Sequence, residues 1–385
     1  MLRFLTAGES HGPGLVTIVE GLPRGLEIDA SAIAAELARR RHGHGRGQRM
    51  SLEQDELEIL GGVRHGRTLG SPVAILIRNT EWPKWERVMS PGPGEPGNEV
   101  TRPRPGHADL AGMLKYDTED ARDVLERASA RETAARTVAG YLARVMLSSC
   151  GVDILSHVLA IGPVRAKSQM PAPDDRGRID DDPVRCLDPQ ASAAMVAAID
   201  NAREAKDTLG GVFEVVAHGV PVGIGSHVSH DRRLDMLLAG ALMSIPAIKG
   251  VEIGDGFESA ETPGSSAHDE IVRVDGVVTR ETNRAGGIEG GMSNGQAIRV
   301  RAAMKPISTL MQPLRTVDMS TGQPDQAVRE RSDVCAVPAA GVVGEQMVAL
   351  VLADEYARKF GGDTVEDLRA ALDHYRTRVA RRVGG

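Results

Sequence analysis

The stretch Gly21-Leu22-Pro23-Arg24-Gly25-Leu26 returns in pattern at Gly219-Val220-Pro221-Val222-Gly223-Ile224. Proline is barred from helix interiors and central strands, and glycine frees the backbone, so each copy reads as a turn. Each follows a strand-like run, residues 16–20 in one case and 212–217 in the other. Each precedes a helix-period segment, residues 31–41 and about 232–243. The reading is a chain of two similar halves, starting near residues 1 and 205, with a chance match of six small residues as its competitor.

The helix that follows the first turn has Asp29 or Ser31 as its N-cap and Ile33 and Leu37 on one face. It runs into Arg39-Arg40-Arg41-His42-Gly43-His44-Gly45-Arg46-Gly47-Gln48-Arg49, five arginines and two histidines in a chain of net charge −7. Arg39, Arg40 and Arg41 complement the negative end of a helix dipole. That does not explain Arg46 and Arg49, which lie beyond the helix. The guanidinium fork matches carboxylate and phosphate oxygens two at a time, so one reading is a cradle for a small polyanion. A solvated basic loop or a nucleic-acid patch is the other. The acidic balance of the whole chain counts against general nucleic-acid affinity.

Upstream, residues 2–7 alternate like a strand and stop at Gly8-Glu9-Ser10-His11-Gly12. A lone histidine is commonly structural. Glycines around His11 favour a proton donor or anion ligand on a loop held by a scaffold. Downstream, residues 81–109 form a long irregular stretch, the length at which lids occur. It holds both tryptophans and ends in Arg104-Pro105-Gly106-His107. The Pro-Gly bend makes His107 a second candidate. A long helix is expected over 119–148, with Val138, Leu142 and Val145 as its core stripe and Glu132–Arg136 as a surface pair. Residues 151–190 begin as strand and then read as an exposed insertion or linker, and 190–206 as an amphipathic helix. Five glycines within residues 286–295 predict a loop whose amides face a ligand. It matches neither the nucleotide-triphosphate loop nor the dinucleotide fingerprint. Lys305, Ser308 and Thr309 suit one phosphate monoester. An apolar helix is expected over 344–360, and Thr364 to Asp367 is a capping box.

The composition, 41% apolar and 26% charged, is that of a globular protein. Three scattered cysteines define neither a metal site nor a disulfide framework, and fit free thiols in a cytoplasmic protein. No run of 18 apolar residues predicts a membrane span, and the N-terminus lacks a signal-peptide core.

These motifs together resemble the chorismate synthase family. The matching stretches are residues 8–12, 46–49, 104–109, 127–135, 207–211, 250–254, 283–295, 305–309 and 331–338, in order along nearly the whole chain. The resemblance implies a single domain over 1–385. Its fold would be α+β, a β-α-β sandwich with helices between antiparallel sheets and pseudo-repeated halves of about 1–150 and 205–360. It implies a 1,4-anti elimination of phosphate from 5-enolpyruvylshikimate 3-phosphate, giving chorismate in the shikimate pathway of aromatic amino acid biosynthesis. The reaction requires reduced FMN. By resemblance His11 protonates the leaving phosphate, His107 protonates or orients the flavin near N1, and Asp333 manages a proton near N5. Arg40, Arg46, Arg49, Arg131 and Arg331 are candidate substrate ligands. Ser129, Ala130, Arg131, Pro246, Ala247, Gly290, Lys305, Pro306, Ile307, Ser308, Thr309 and Arg331 match flavin-contacting positions. No metal is implied. The family is usually a homotetramer. Some members reduce their own flavin with NADPH, to which Arg40 and Arg46 are alternative contacts. Without a dinucleotide fingerprint, an external flavin reductase is expected here. Two rivals remain: a flavin-free phosphate-elimination enzyme that has no need of residues 305–309, and a polyanion-binding module whose affinity falls steeply with salt.

Overall fold

The computed structural model describes residues 1–47, 55–94, 97, 99–167, 169–330 and 333–384. In the first half, β1 (Arg3–Ala7) and β2 (Gly14–Glu20) form a hairpin, and α1 (Ala30–Arg41) follows the glycine–proline turn. Asp29 caps α1 by accepting from the Ser31 amide at 2.8 Å. Two further strands, β3 (Glu56–Gly61) and β4 (Val73–Arg78), complete an antiparallel sheet of order β1-β2-β4-β3. After α2 (Asp109–Tyr116), α3 (Thr133–Ser148) lies on the inner face of this sheet.

The second half repeats the plan. A strand, β5 (Asp153–Ile161), with a two-residue edge β6 (Val164–Arg165), precedes α4 (Pro189–Glu204) and β7 (Gly211–His218). Then come α5 (Leu234–Met243), β8 (Ile248–Ile253) and β9 (Ile298–Met304). The sheet order is β6-β5-β7-β9-β8, which is the first sheet's order with β5, β7, β9 and β8 in the places of β1, β2, β4 and β3. A long helix, α6 (Val337–Phe360), lies on its inner face and against α3, and α7 (Val365–Val383) closes the chain behind the Thr364 capping box.

The two turns agree in detail. Gly21 and Gly25 have φ of +88° and +100°, and Gly219 and Gly223 have +78° and +81°. A Cβ at Gly21 would overlap the carbonyl of Met1, just before β1, and one at Gly219 would overlap that of Gly151, just before β5. By this shared order the counterpart of β1 is β5, so the repeated unit starts at Asp153 and not near residue 205.

Helices fill the space between the sheets because their facing surfaces are small. Gly140 of α3 backs directly onto Gln346 of α6, and Gly344 of α6 receives the Phe213 ring of β7. The apolar helix begins at Val337, seven residues before the expected start, because Pro338 is accommodated in its first turn. By length and composition α6 is apolar enough to cross a bilayer, but it is buried as the core helix.

The expected helix over 119–148 is broken. A short turn, Arg122–Leu125, is followed by Ser129 in extended conformation, with φ −65° and ψ 145°. Its hydroxyl accepts from the Arg131 amide at 3.3 Å, a local bond that competes with helix. The pair of Glu132 and Arg136 forms at 2.8 Å, but Glu132 is buried and also accepts from Thr6, so it is no surface pair. Residues 151–190 are not an exposed insertion: Ile179, Val184, Arg185 and Cys186 are buried.

Across the second sheet, Glu214 of β7 sits between His157 of β5 and Arg301 of β9, each at 3.1 Å, with Arg299 also at 3.1 Å. Burial pushes this carboxyl up, but the bond from His157 and the charges of the two arginines prevail and hold it down at about 2, from an ordinary 4.5. A lowered folded value means that its stabilisation is complete above about 4.5 and is lost as pH falls through about 2. Glu214→Gln should therefore flatten the fall of the urea midpoint on acidification across that window. A variant with the parent's slope would exclude this carboxylate as a source of acid lability.

Candidate functional site

A cavity of about 660 Å³ opens where the turn after β1, the break before α3, the α5–β8 loop, the end of β9 and the start of α6 meet. Among the described residues its wall carries six cations, Arg40, Arg46, Arg104, Arg131, Lys249 and Lys305, against three carboxylates, Glu126, Glu330 and Asp333. The excess of positive charge in a partly desolvated site favours an anionic ligand.

His11 stands on the wall because the β1–β2 loop is pinched. Gly8 has φ +102° where a side chain would strike Gly14, and the Asn79 amide donates to the carbonyls of Ser10 and Gly12 at 3.1 and 3.0 Å. The Nδ1 atom of His11 lies 2.8 Å from Glu126 Oε2. Beside it, the Ser129 hydroxyl donates to Ser10 at 3.2 Å. His107 is raised on the Pro105–Gly106 bend, with Gly106 at φ +79°, and its Nδ1 is hydrogen-bonded to Asp109. Arg104 donates to the same carboxylate through Nε at 2.8 Å and to the Thr309 hydroxyl at 3.1 Å. Asp109 is fully buried. Burial raises its pKa, but the bonds from His107 and Arg104 outweigh that and hold it well below the usual carboxylate range. Glu126 is lowered in the same way, burial being outweighed by the bond from His11. Two histidines thus face one cavity, each bonded at Nδ1 to a buried carboxylate, an arrangement that fixes ring orientation and tautomer.

The arginine stretch divides. Arg40 is buried on the wall, 3.4 Å from the Thr133 hydroxyl, and Arg46 bonds Asp333 at 2.6 Å. The Gly47 amide also donates to Asp333 at 2.6 Å. Arg131, on the wall, bonds Asp55 at 2.7 Å, and Arg41 pairs with the same Asp55. Arg39 turns away into a buried cluster, bonding Glu345 of α6 at 2.9 and 3.0 Å and Asp180 at 2.9 Å. Arg39, Arg40 and Arg41 all lie in the last turn of α1, as the dipole reading requires, and Arg39 and Arg41 form ion pairs as well. Arg49 and Arg331 lie outside the described residues.

Ser129, Ala130, Ala247, Pro246, Lys305, Ile307, Ser308 and Thr309 line the cavity. Ala247 adopts φ +69°, rare for a residue with a side chain, and its carbonyl accepts from the Lys305 amide at 2.9 Å. Pro306 and Gly290 are not among the lining residues. Gly290 caps a hairpin between Ile288–Glu289 and Met292–Ser293. In this glycine-rich block the Gly286 amide bonds the Asn283 carbonyl at 3.3 Å and the Gly287 amide bonds the Asn283 side chain at 2.7 Å. Those two amides are used internally, and Gly286 crosses closely over Gly254.

Sequence reasoning missed Ser10, Arg104, Glu126, Glu330 and the Ala336–Val343 wall. Ser10 and Arg104 lie within the motifs that carry His11 and His107. Glu126 carried no local signal, since its partner is 115 residues away.

The model of a family described as chorismate synthase matches residues 2–357. A chorismate synthase of Acidothermus cellulolyticus is 61% identical over 385 residues, covering 97% of this chain and 98% of the relative. One from Thermobifida fusca is 61% identical over 390 residues, covering 97% and 99%. A solved structure titled "Crystal Structure of Chorismate Synthase" is 41% identical, with a TM-score of 0.80, covering 99% of this chain and 98% of the other.

Proposed function

The chain belongs to the chorismate synthase family of lyases, and we propose that it eliminates phosphate from 5-enolpyruvylshikimate 3-phosphate to give chorismate, with reduced FMN bound in the cavity. The observation that carries this is the pair of carboxylate-held histidines on a wall rich in arginine and lysine. The substrate has two carboxylates and one phosphate. Arg40, Arg46 and Arg131 are assigned to them, with Arg49 and Arg331 as further candidate ligands. His11 gives a proton to the departing phosphate oxygen. Asp109 holds His107 by Nδ1 and so presents its other edge for the flavin N1 side, and Asp333 is assigned to the N5 side.

The cavity's composition suits a flavin. Ala128, Ala130, Ala339 and Ala340 leave a flat apolar wall for a ring system, and Lys305, Ser308 and Thr309 suit a phosphate monoester. Ser129, Ala130, Arg131, Pro246, Ala247 and residues 305–309 would hold it. Bound reduced FMN supplies an electron-rich ring that assists cleavage of the C–O bond.

Reduction of the flavin is assigned to an external NADPH-dependent reductase, since the sequence has no dinucleotide fingerprint, and the protein to the cytoplasm. A homotetramer is in keeping with the exposed Leu5 and Ile18, which pair across β1 and β2 on the outer face of the first sheet. The test is an anaerobic assay with the shikimate-phosphate substrate and chemically reduced FMN, following chorismate absorbance. Turnover only when reduced FMN is present is expected. Folded protein that gives no turnover with flavin would overturn the reading.

A further inference from the structure

Glu126 is engaged with the His11 turn through both its carboxylate and its backbone carbonyl. Its carboxylate accepts from the His11 amide at 3.1 Å, and His11 Nδ1 lies 3.0 and 2.8 Å from its two oxygens. Its backbone carbonyl accepts from the Ser10 amide at 3.0 Å. Arg122, one helical turn earlier, donates to the carboxylate at 3.1 Å, and the Glu126 side chain is only 2% exposed. From the other side comes Trp85, carried by the short helix Trp82–Trp85. Its ring stacks on the imidazole with centroids 3.9 Å apart and planes 26° from parallel. The Arg122 guanidinium lies 5.4 Å from the same indole, within cation–π range. Three residues from two segments therefore bear on one imidazole, and none of them follows from the motif that contains it.

We infer that Glu126 is a positioning residue for His11, holding the ring by Nδ1 so that Nε2 is the nitrogen that exchanges a proton with the ligand, while Trp85 fixes the plane of the ring. This rests on the reading of His11 as the donor to the leaving phosphate. When the C–O bond breaks, its electron pair stays on the phosphate oxygen, which takes the proton from Nε2. The Nδ1 hydrogen bond to Glu126 persists through the transfer, so the ring has no reason to turn. A glutamine at 126 keeps the shape but offers an amide that can also present a donor to Nδ1, which permits the wrong tautomer.

The test uses Glu126→Gln and Glu126→Asp, each alone and combined with His11→Ala, with the shikimate-phosphate substrate and reduced FMN. Glu126→Gln should lower kcat about 100-fold, a general-acid effect, with KM within about threefold of the parent. The aspartate variant should recover part of the loss. The double variant Glu126→Gln with His11→Ala should be no slower than His11→Ala alone, since a residue that acts through another adds nothing once the other is gone. A double variant slower by a further 100-fold or so would overturn the inference. If His11→Ala itself matched the parent, the donor reading would fall.

A second arm needs no turnover. With Trp82→Phe, Trp85 is the only tryptophan, and its emission reports the stacked ring. His11→Ala should change that emission, Glu126→Gln should change it in the same direction, and Glu126→Asp less. Unaltered emission from folded Glu126→Gln would show that the carboxylate does not hold the ring.

Discussion

His11→Ala should lose about two to four orders of magnitude in kcat with substrate and reduced FMN saturating, the range of a lost general acid. The loss should appear in kcat because binding is carried elsewhere. Arg40, Arg46 and Arg131 stand on the wall independently of His11, each with its own partner. KM should therefore move little. A phosphate leaving without a proton departs as a more highly charged anion, and the cations of the wall compensate only in part. Steady-state kinetics followed by chorismate absorbance would check this. Turnover equal to the parent's would remove His11 from the chemistry and leave its seat on Glu126 and Trp85 as structure only.

Glu345→Ala should destabilise the fold by about 3–5 kcal/mol, the cost of breaking a buried ion cluster from one side. Glu345 is fully buried on α6. It takes two bonds from Arg39 at 2.9 and 3.0 Å, one from Arg185 at 3.0 Å, and the amide and hydroxyl of Ser156 at 3.0 and 2.8 Å. Burial acts to raise its pKa, yet the surrounding arginines hold it well below the usual carboxylate range. Alanine would leave those guanidiniums buried beside a vacancy. Arg3→Ala is the contrast: its partner Glu20 is at the surface, and the change should cost no more than about 1 kcal/mol. Urea unfolding of the two variants measures the difference. A Glu345→Ala loss below about 1 kcal/mol would mean that the cluster relaxes or takes up water. The same variant should raise KM, since Arg39 and Arg40 are adjacent on α1 and the Glu345 bond sets how that helix lies on α6.

That adjacency shows what a sequence can and cannot disclose. The cap at Asp29, the apolar face of Ile33 and Leu37 and the capping box at Thr364 are local, so they were legible. So were the two glycine–proline turns, because positive φ leaves its mark in composition. His11 and His107 stood out by the glycines around them. The division of labour between Arg39 and Arg40 was not legible, because a rotation of about 100° on a helix sends one to a buried cluster and the other to the cavity. The break at Ser129 turns on one hydroxyl choosing a local bond over helix. In the glycine-rich block the Gly286 and Gly287 amides are spent within the loop, and the sequence does not show this because a loop that cradles a ligand and a loop that crosses another backbone closely call for the same residue. Glu126 was invisible because its meaning lies in a residue 115 positions away.

The place of α6 in the chain has a consequence for synthesis. α6, the helix on the inner face of the second sheet, begins at Val337, so both sheets leave the ribosome before it does. At roughly 5–20 residues per second, residues 219–336, between β7 and α6, take about 6–24 s to emerge. Throughout that interval the inner faces of β5 and β7, with Phe213 and Val215, lack the helix that packs on them most closely. The nascent chain should therefore expose apolar sheet surface until α6 emerges. A ribosome that stalls short of residue 337 releases a product prone to aggregate, however well its first half has folded.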